Sequence, residues 1–139
     1  MIVLDTNVVS ELMKPKPAPV VEDWIADRPA TMLYTTSITQ AEILHGILLL
    51  PSGRRRTTLE AAAEAMFRED FRERILPFGT EAAQAYAQIA AQRRRSGRPI
   101  SQFDAQIAAI TRSSRAQVAT RNVSDYEGCG IKVLNPWDA

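Results

Sequence analysis

The chain opens on an unbroken apolar run, Met1 to Leu4, that stops abruptly at Asp5. A run of this kind reads as a strand covered on both faces, the environment of a parallel sheet packed between helices. Four more strand-forming runs follow at Met32–Thr36, Ile75–Phe78, Gln117–Thr120 and Ile131–Leu134. Helical spacing predicts Thr6–Met13, Val20–Ala26, Thr39–Leu50, Leu59–Arg74, Glu81–Arg95 and Phe103–Arg112 between them. Lys14-Pro15-Lys16-Pro17, Pro51-Ser52-Gly53 and Ser96-Gly97-Arg98-Pro99 break the helical stretches, because proline lacks the amide donor and restricts its predecessor. Strands alternating with helices in this order imply right-handed crossovers. The expected fold is α/β, a three-layer sandwich with a central parallel sheet of four to five strands.

With 139 residues the chain fits one compact domain over 1–139. A hydrophobic share of 45% and a charged share of 24% exclude both a disordered and a membrane-embedded class. Cys129 is the only cysteine, so neither an internal disulfide framework nor a cysteine metal cage can form. Met1-Ile2-Val3-Leu4-Asp5 carries no basic leader, and Ile47 to Leu50 is far too short to span a bilayer, so a cytoplasmic protein is expected. A net charge of +1 argues against a dedicated nucleic-acid coat protein but leaves room for a nuclease with a local basic rim.

In an open parallel sheet the ligand crevice lies outside the carboxyl ends of the strands. Those positions hold Asp5, Thr6 and Asn7 after the first strand, Ser37 after the second, and Thr120, Arg121, Asn122 and Asp125 after the fourth. Two more acids sit on helical faces suited to burial: Glu42 with Ile38, His45 and Leu49, and Asp104 with Ile107, Ala108 and Thr111. A carboxylate in a buried stripe is costly unless paired or bound to metal. Asp5, Glu42, Asp104 and Asp125 would form an all-oxygen donor set, which selects hard ions such as Mg²⁺ or Mn²⁺ over Zn²⁺. Such a site activates water for in-line attack on a phosphodiester.

Each acid also has a structural reading. Thr39-Gln40-Ala41-Glu42 and Ser101-Gln102-Phe103-Asp104 both fit the capping-box pattern. Asp5 suits the cap of the next helix, and Asp125 suits a solvated turn beside Asn122 and Ser124. Caps do not explain why all the acids point to one strand-end crevice. Among the cations, Arg93, Arg94, Arg95 and Arg98 are candidates for phosphate contact, with Arg121 on the rim, and Arg54-Arg55-Arg56 is a weaker candidate. Both clusters also read as solvated helix ends, where cations favour the carboxyl end of the dipole. His45 and Cys129 are assigned no catalytic role. Leu48, Leu49 and Leu50 with the helix from Leu59 exceed what one thin layer must cover and fit either a partner groove or a second core layer.

These residues resemble a known family, the PIN-domain ribonucleases, and within it toxins of the VapC and FitB type. Val3-Leu4-Asp5-Thr6-Asn7 with Val8-Val9-Ser10-Glu11-Leu12 is similar to the family's first strand and helix. Ser37-Ile38-Thr39-Gln40-Ala41-Glu42 is similar to the second motif, and Phe103-Asp104-Ala105-Gln106-Ile107-Ala108-Ala109 to the third. Thr120-Arg121-Asn122-Val123-Ser124-Asp125-Tyr126 matches the fourth, with Tyr126 where many members carry phenylalanine. The resemblance implies Mg²⁺ or Mn²⁺ dependence, cleavage of RNA, a homodimer, and neutralisation by a small cognate antitoxin that binds operator DNA.

A catalytically silent Mg²⁺-binding module, including a phosphoacceptor switch, is the competing class. It asks for an acceptor aspartate after the central strand and a nearby lysine, and Lys14, Lys16 and Lys132 are the only lysines. An aspartyl-phosphate phosphohydrolase would want an acid two positions after Asp5, where Asn7 stands.

Overall fold

A computed structural model describes residues 1–139. Five strands form, β1 (Ile2–Leu4), β2 (Leu33–Thr36), β3 (Ile75–Leu76), β4 (Gln117–Ala119) and β5 (Val133–Leu134). They pair in the order β3-β2-β1-β4-β5, and every pairing is parallel. The helices are α1 (Thr6–Leu12), α2 (Pro19–Ala26), α3 (Ser37–Leu48), α4 (Arg54–Ala65), α5 (Thr80–Arg95) and α6 (Gln102–Ser113). No helix is long and apolar enough to cross a membrane.

The central strand explains the layering. In β1, Ile2 and Leu4 point to one face and Val3 to the other, as the two-residue period of a strand requires. Ile2 and Leu4 pack with Val8, Val9, Val21, Trp24, Ile43 and Ile47 from α1, α2 and α3. Val3 packs with Ile89 of α5 and with Ile107 and Ile110 of α6. Each buried aliphatic side chain contributes about 1.5–3 kcal/mol, so β1 is held from both sides. Helices on both faces of the parallel sheet give the expected α/β sandwich.

Several boundaries differ from the sequence expectation, each for a local reason. The helix expected over Leu59–Arg74 begins earlier, because the Gly53 carbonyl accepts from both the amide and the hydroxyl of Thr57 at 3.1 Å. Arg54, Arg55 and Arg56 therefore stand at the amino end of α4 rather than at a carboxyl end, and Arg56 is paired with Glu60 at 2.7 Å. Beyond Ala65 the chain widens into a π-helical turn, Met66–Asp70. Arg74 ends the segment by donating to the carbonyls of Ala30, Leu33 and Asp70, while its own carbonyl accepts from Thr35 at 3.0 Å. Strand β3 stops at Leu76 because Pro77 has no amide to donate. Strand β5 is shorter than expected, since Gly128 and Gly130, both at φ 75°, turn the chain just before it.

The largest revision concerns α3. Its cap is Thr36 at the end of β2, whose hydroxyl accepts from the Thr39 amide at 3.1 Å, so the helix starts at Ser37 and not at Thr39. Thr39, Ile43 and Ile47 then form the buried stripe, while His45 and Leu49 face outward. Glu42 stands at the border of that stripe, half-buried, and is not a capping-box acid.

Candidate functional site

The strand order reverses direction at β1, which is followed in sequence by β2 on one side while β4 flanks it on the other. Such a switch point opens a crevice at the carboxyl ends of the strands. Asp5 stands there, its amide bonded to the Ala119 carbonyl at 2.9 Å, and Thr120 ends the neighbouring strand. The Asp5 side chain is only 4% exposed. One carboxylate oxygen accepts from the Thr6 amide at 2.8 Å, and the other accepts from the Thr120 hydroxyl at 2.8 Å and from Asn7 at 3.4 Å. Asp5 thus caps α1 as the sequence allowed, and it also belongs to a wider polar network. Burial raises its pKa above the ordinary 3.8 despite these donors, and the charge of Asp104 adds to the rise.

Glu42 reaches the same place from α3, accepting from the Thr6 hydroxyl at 2.9 Å. That hydroxyl also lies 3.0 Å from the Thr39 hydroxyl. Partial burial pushes the Glu42 carboxyl up, and the charges of Asp5 and Asp104 push it further. Asp104 comes from the first turn of α6, where Ser101 caps the helix by accepting from the Asp104 amide at 3.2 Å. Burial raises its pKa too, the nearby charge of Asp125 adds to that, and Ser101, Tyr126 and Arg93 oppose it. All three carboxyls therefore hold their protons more tightly than free ones do. Repulsion among partly desolvated acids is one of the causes in each case.

One cleft gathers them. Asp5, Thr6, Asn7, Ser10, Glu11, Lys14, Glu42, Asp104, Arg121, Asn122 and Trp137 line it, so its wall is polar apart from one indole. No three acidic, histidine or cysteine side chains are gathered closely enough to hold a metal ion between them. The donor set nonetheless fits a hard, hydrated cation, since Mg²⁺ retains several waters and binds through one or two carboxylates. Asp5, Glu42 and Asp104 offer only oxygen, and neutralising their mutual repulsion is what a divalent ion would do.

Other expected site residues are distributed unevenly. Asn7 lies on the wall, donating to the Thr120 hydroxyl at 3.2 Å and accepting from the Arg121 amide at 3.2 Å. Asn122 lines the cleft as well, its amide donating to Thr120 at 3.1 Å. Asp125 does not line it; it stands in the short Val123–Tyr126 turn, near enough for its charge to raise the Asp104 pKa. Ser37 opens α3 and is also absent from the wall. Among the arginines, Arg121 alone lines the cleft, with its guanidinium 5.1 Å from the Trp137 ring centre. Arg93 is 7% exposed, and its guanidinium donates to the carbonyls of Arg98 at 2.7 Å, Asp125 at 2.8 Å and Glu127 at 3.0 Å. The expectation that Arg93 contacts RNA is therefore corrected: it is a buried brace. Arg94, Arg95 and Arg98 are exposed, with Arg98 paired to Glu127 at 3.0 Å.

Sequence reasoning missed four residues. Glu11 and Lys14 are joined at 2.9 Å on the cleft wall, and Glu11 also accepts from the Ala18 amide at 3.0 Å, so its pKa is lowered. Their three-residue spacing at a helix end was the available signal. Trp137 gave none, because its placement depends on the chain's return past β5. Tyr126 is 1% exposed, and its phenol pKa is pushed far above its ordinary value by burial and then by the charges of Asp5 and Asp104.

Beside the acidic cleft runs a larger, mainly apolar groove. Thr6 and Glu42 stand at the shared edge; Met13, Ile43, Ile47, Leu50 and Leu59 form the floor; Lys14, Arg54 and Arg55 line the rim. Leu44, Leu48, Leu49 and Phe103 are exposed outside it.

The sequence profile of the PIN domain matches residues 2–124, a span that includes every residue lining the cleft except Trp137. The chain belongs to the PIN domain family. This PIN domain is 40% identical over 138 residues to a VapC ribonuclease of Sinorhizobium fredii, covering 99% of both chains. It is 36% identical to the toxin FitB of Neisseria gonorrhoeae, again over 99% of each chain. The solved structure of FitAcB from Neisseria gonorrhoeae superposes on it with a TM-score of 0.93 at 35% identity, over all of both chains. The resemblance read from the four motifs is thus a family membership, and the α/β architecture is that of a PIN domain.

Proposed function

We propose that this PIN domain is a Mg²⁺- or Mn²⁺-dependent endoribonuclease and the toxin of a toxin–antitoxin pair. The observation that carries the chemistry is the trio of Asp5, Glu42 and Asp104, brought from three separate elements into one polar cleft with every pKa raised. A protein without catalytic work there would have little reason to keep three mutually repelling acids half-buried. Relatives named VapC ribonuclease and toxin FitB support the same reading.

In this mechanism Asp5, Glu42 and Asp104 would hold the cation together with its waters, and Asp125 would add negative charge beside Asp104. When bound, the cation supplies Lewis acidity that makes water a better nucleophile and steadies charge on the phosphate. Thr6 and Thr120 orient Asp5 through their hydrogen bonds, so its lone pairs are fixed before substrate arrives. Thr6 also fixes one oxygen of Glu42, leaving the other available to take a proton from the attacking water. Hydrolysis forms a bond from water oxygen to phosphorus and breaks the bond to the leaving ribose oxygen, which takes up a proton from solvent as it departs, while Glu42 returns the water's proton to solvent. Arg121 and the exposed Arg94, Arg95 and Arg98 attract the phosphate backbone. Lys14 lines the cleft, but its ammonium is bonded to Glu11, an arrangement that does not favour a phosphoacceptor switch.

The apolar groove that begins at Glu42 suits a short antitoxin segment, with Lys14, Arg54 and Arg55 receiving acidic side chains at its rim. Exposed Leu44, Leu48 and Phe103 suit a homodimer contact. The FitAB structure is named as a complex bound to DNA, and operator DNA would reach this chain in the same indirect way, through its antitoxin. The reading places the protein in the cytoplasm, with the whole chain acting as one unit.

The test is cleavage of a mixed RNA pool by the purified protein in Mn²⁺, Mg²⁺ or chelator, beside Asp5→Asn. Metal-dependent cleavage that the variant lacks is expected. Cleavage equal in chelator, or equal in the variant, overturns the proposal.

A further inference from the structure

Tyr126 carries a hydroxyl with nothing to bond. Its side chain is fully buried, and the hydroxyl is the one buried side-chain polar atom in the molecule without a hydrogen-bond partner. Buried polar groups are ordinarily paired, and an exception calls for an explanation. A phenylalanine would fill the same space without the desolvation cost of the hydroxyl.

The surroundings of that hydroxyl are specific. It lies against Asp5 and Asp104, close enough to help hold both carboxyls down, and the charge of Glu42 reaches it as well. The ring has little freedom to move elsewhere. Arg93 donates through one nitrogen to the carbonyls of Asp125 at 2.8 Å and Glu127 at 3.0 Å, the residues on either side of Tyr126. The Tyr126 carbonyl accepts from the Cys129 amide at 3.3 Å, closing the turn. A phenol is protonated at neutral pH, so the group is a buried donor without a partner, set among the carboxylates of the cleft.

We propose that Tyr126 is a positioning residue of the acidic cleft, whose buried hydroxyl donates to Asp5 or Asp104 and fixes which carboxylate oxygens face a bound cation. The inference rests on the metal-dependent reading above and adds a residue to it. Partners in the outer shell of a metal site orient the ligands, and losing one typically costs roughly 10- to 100-fold in metal affinity. Arg93 contributes at one remove by fixing the backbone on both sides of the ring.

The experiment measures Mn²⁺ affinity of the full chain by calorimetry, for wild type and Tyr126→Phe, with melting of both in chelator. The expected result is Mn²⁺ binding by wild type, binding about 10-fold weaker or more in Tyr126→Phe, and a variant that melts in chelator at or above wild type. Equal affinities overturn the role of Tyr126 while leaving the metal reading intact. A variant melting well below wild type in chelator also overturns it, because the hydroxyl would then be a structural bond of the resting fold. A wild type that binds no Mn²⁺ overturns both readings together.

Discussion

Thr120 donates its hydroxyl to Asp5 at 2.8 Å across a separation of 115 positions in sequence. The same oxygen accepts from the Asn7 side chain at 3.2 Å and from the Asn122 amide at 3.1 Å. One buried hydroxyl therefore connects the ends of β1 and β4 and orients the first acid. Thr120→Val keeps the shape and removes all three bonds. It is expected to destabilise the fold by about 1–3 kcal/mol, the cost of stranding buried polar groups, and to weaken Mn²⁺ binding. Thr120→Ser should restore most of both. Urea midpoints and metal titrations of the three proteins check this; a valine variant as stable and as tightly metal-binding as wild type would refute the node.

The raised carboxyl pKa values set the pH dependence of stability. For Asp5, Glu42 and Asp104 the folded pKa lies above the unfolded values of 3.8 and 4.5, so the folded state binds protons more readily. Their contribution to stability is greatest below those unfolded values and declines as pH rises through the folded ones. Glu11, with its lowered pKa, acts in the opposite direction and on the acid side of 4.5. In chelator, the melting temperature is expected to fall as pH climbs from about 4 toward neutrality, and millimolar Mn²⁺ should remove most of that fall. Melting curves across pH with and without Mn²⁺ decide it; a rise toward neutrality in chelator would contradict the shifts.

Removing one acid should relieve the same repulsion. Asp104→Asn keeps the Ser101 cap, which uses the backbone amide of residue 104 rather than its carboxylate. The variant is expected to melt higher than wild type in chelator at pH 7, to lose its response to Mn²⁺, and to lose RNA cleavage. A variant less stable than wild type in chelator would show that the carboxylate serves the fold instead.

The basic run at the end of α5 divides into two roles. Arg93→Met strands three carbonyls that its guanidinium satisfies. A hydrogen bond to a charged group contributes about 1.5–3 kcal/mol net, so with three lost together a destabilisation of at least about 3 kcal/mol is expected. Arg94→Ala and Arg95→Ala, both exposed, should stay within about 0.5 kcal/mol of wild type while lowering RNA affinity and its salt dependence. Denaturation midpoints and binding at two salt concentrations separate these cases, and equal destabilisation by all three substitutions would contradict the division.

Trp137, half-buried beside Arg121, is the only aromatic ring on the cleft wall against which an unpaired base could stack. Stacking of a base on an aromatic ring is worth about 1–3 kcal/mol. In the non-cleaving Asp104→Asn background, Trp137→Ala is expected to weaken binding of a single-stranded oligoribonucleotide about tenfold or more. Fluorescence anisotropy reads this directly, and unchanged affinity would remove Trp137 from the RNA path.

Much of this arrangement is written locally in the chain. Met1–Leu4 ending in Asp5 declares a buried strand and its terminal acid, and the helical face of Asp104 with Ile107, Ala108 and Thr111 is the face observed. What escaped sequence reading depends on contacts between distant segments. Thr36 at the end of β2 caps α3, and its buried stripe runs through Thr39, Ile43 and Ile47 rather than Ile38, His45 and Leu49 because that face packs against β1, α1 and α2. Arg93 looks like its exposed neighbours Arg94 and Arg95 until the turn around Tyr126 folds over it. The pairing of Arg121 with Trp137, and the approach of Tyr126 to Asp5, exist only once β4 and β5 have joined the sheet.

The position of Thr120 also has a temporal meaning. Because Thr120 follows Asp5 by 115 positions, a ribosome-bound nascent chain that stops short of Gln117 contains Asp5, Glu42 and Asp104 but not the strand that pairs with β1 beside them. The cleft therefore takes shape only after β4 has been synthesised, even though all three of its acids emerge earlier.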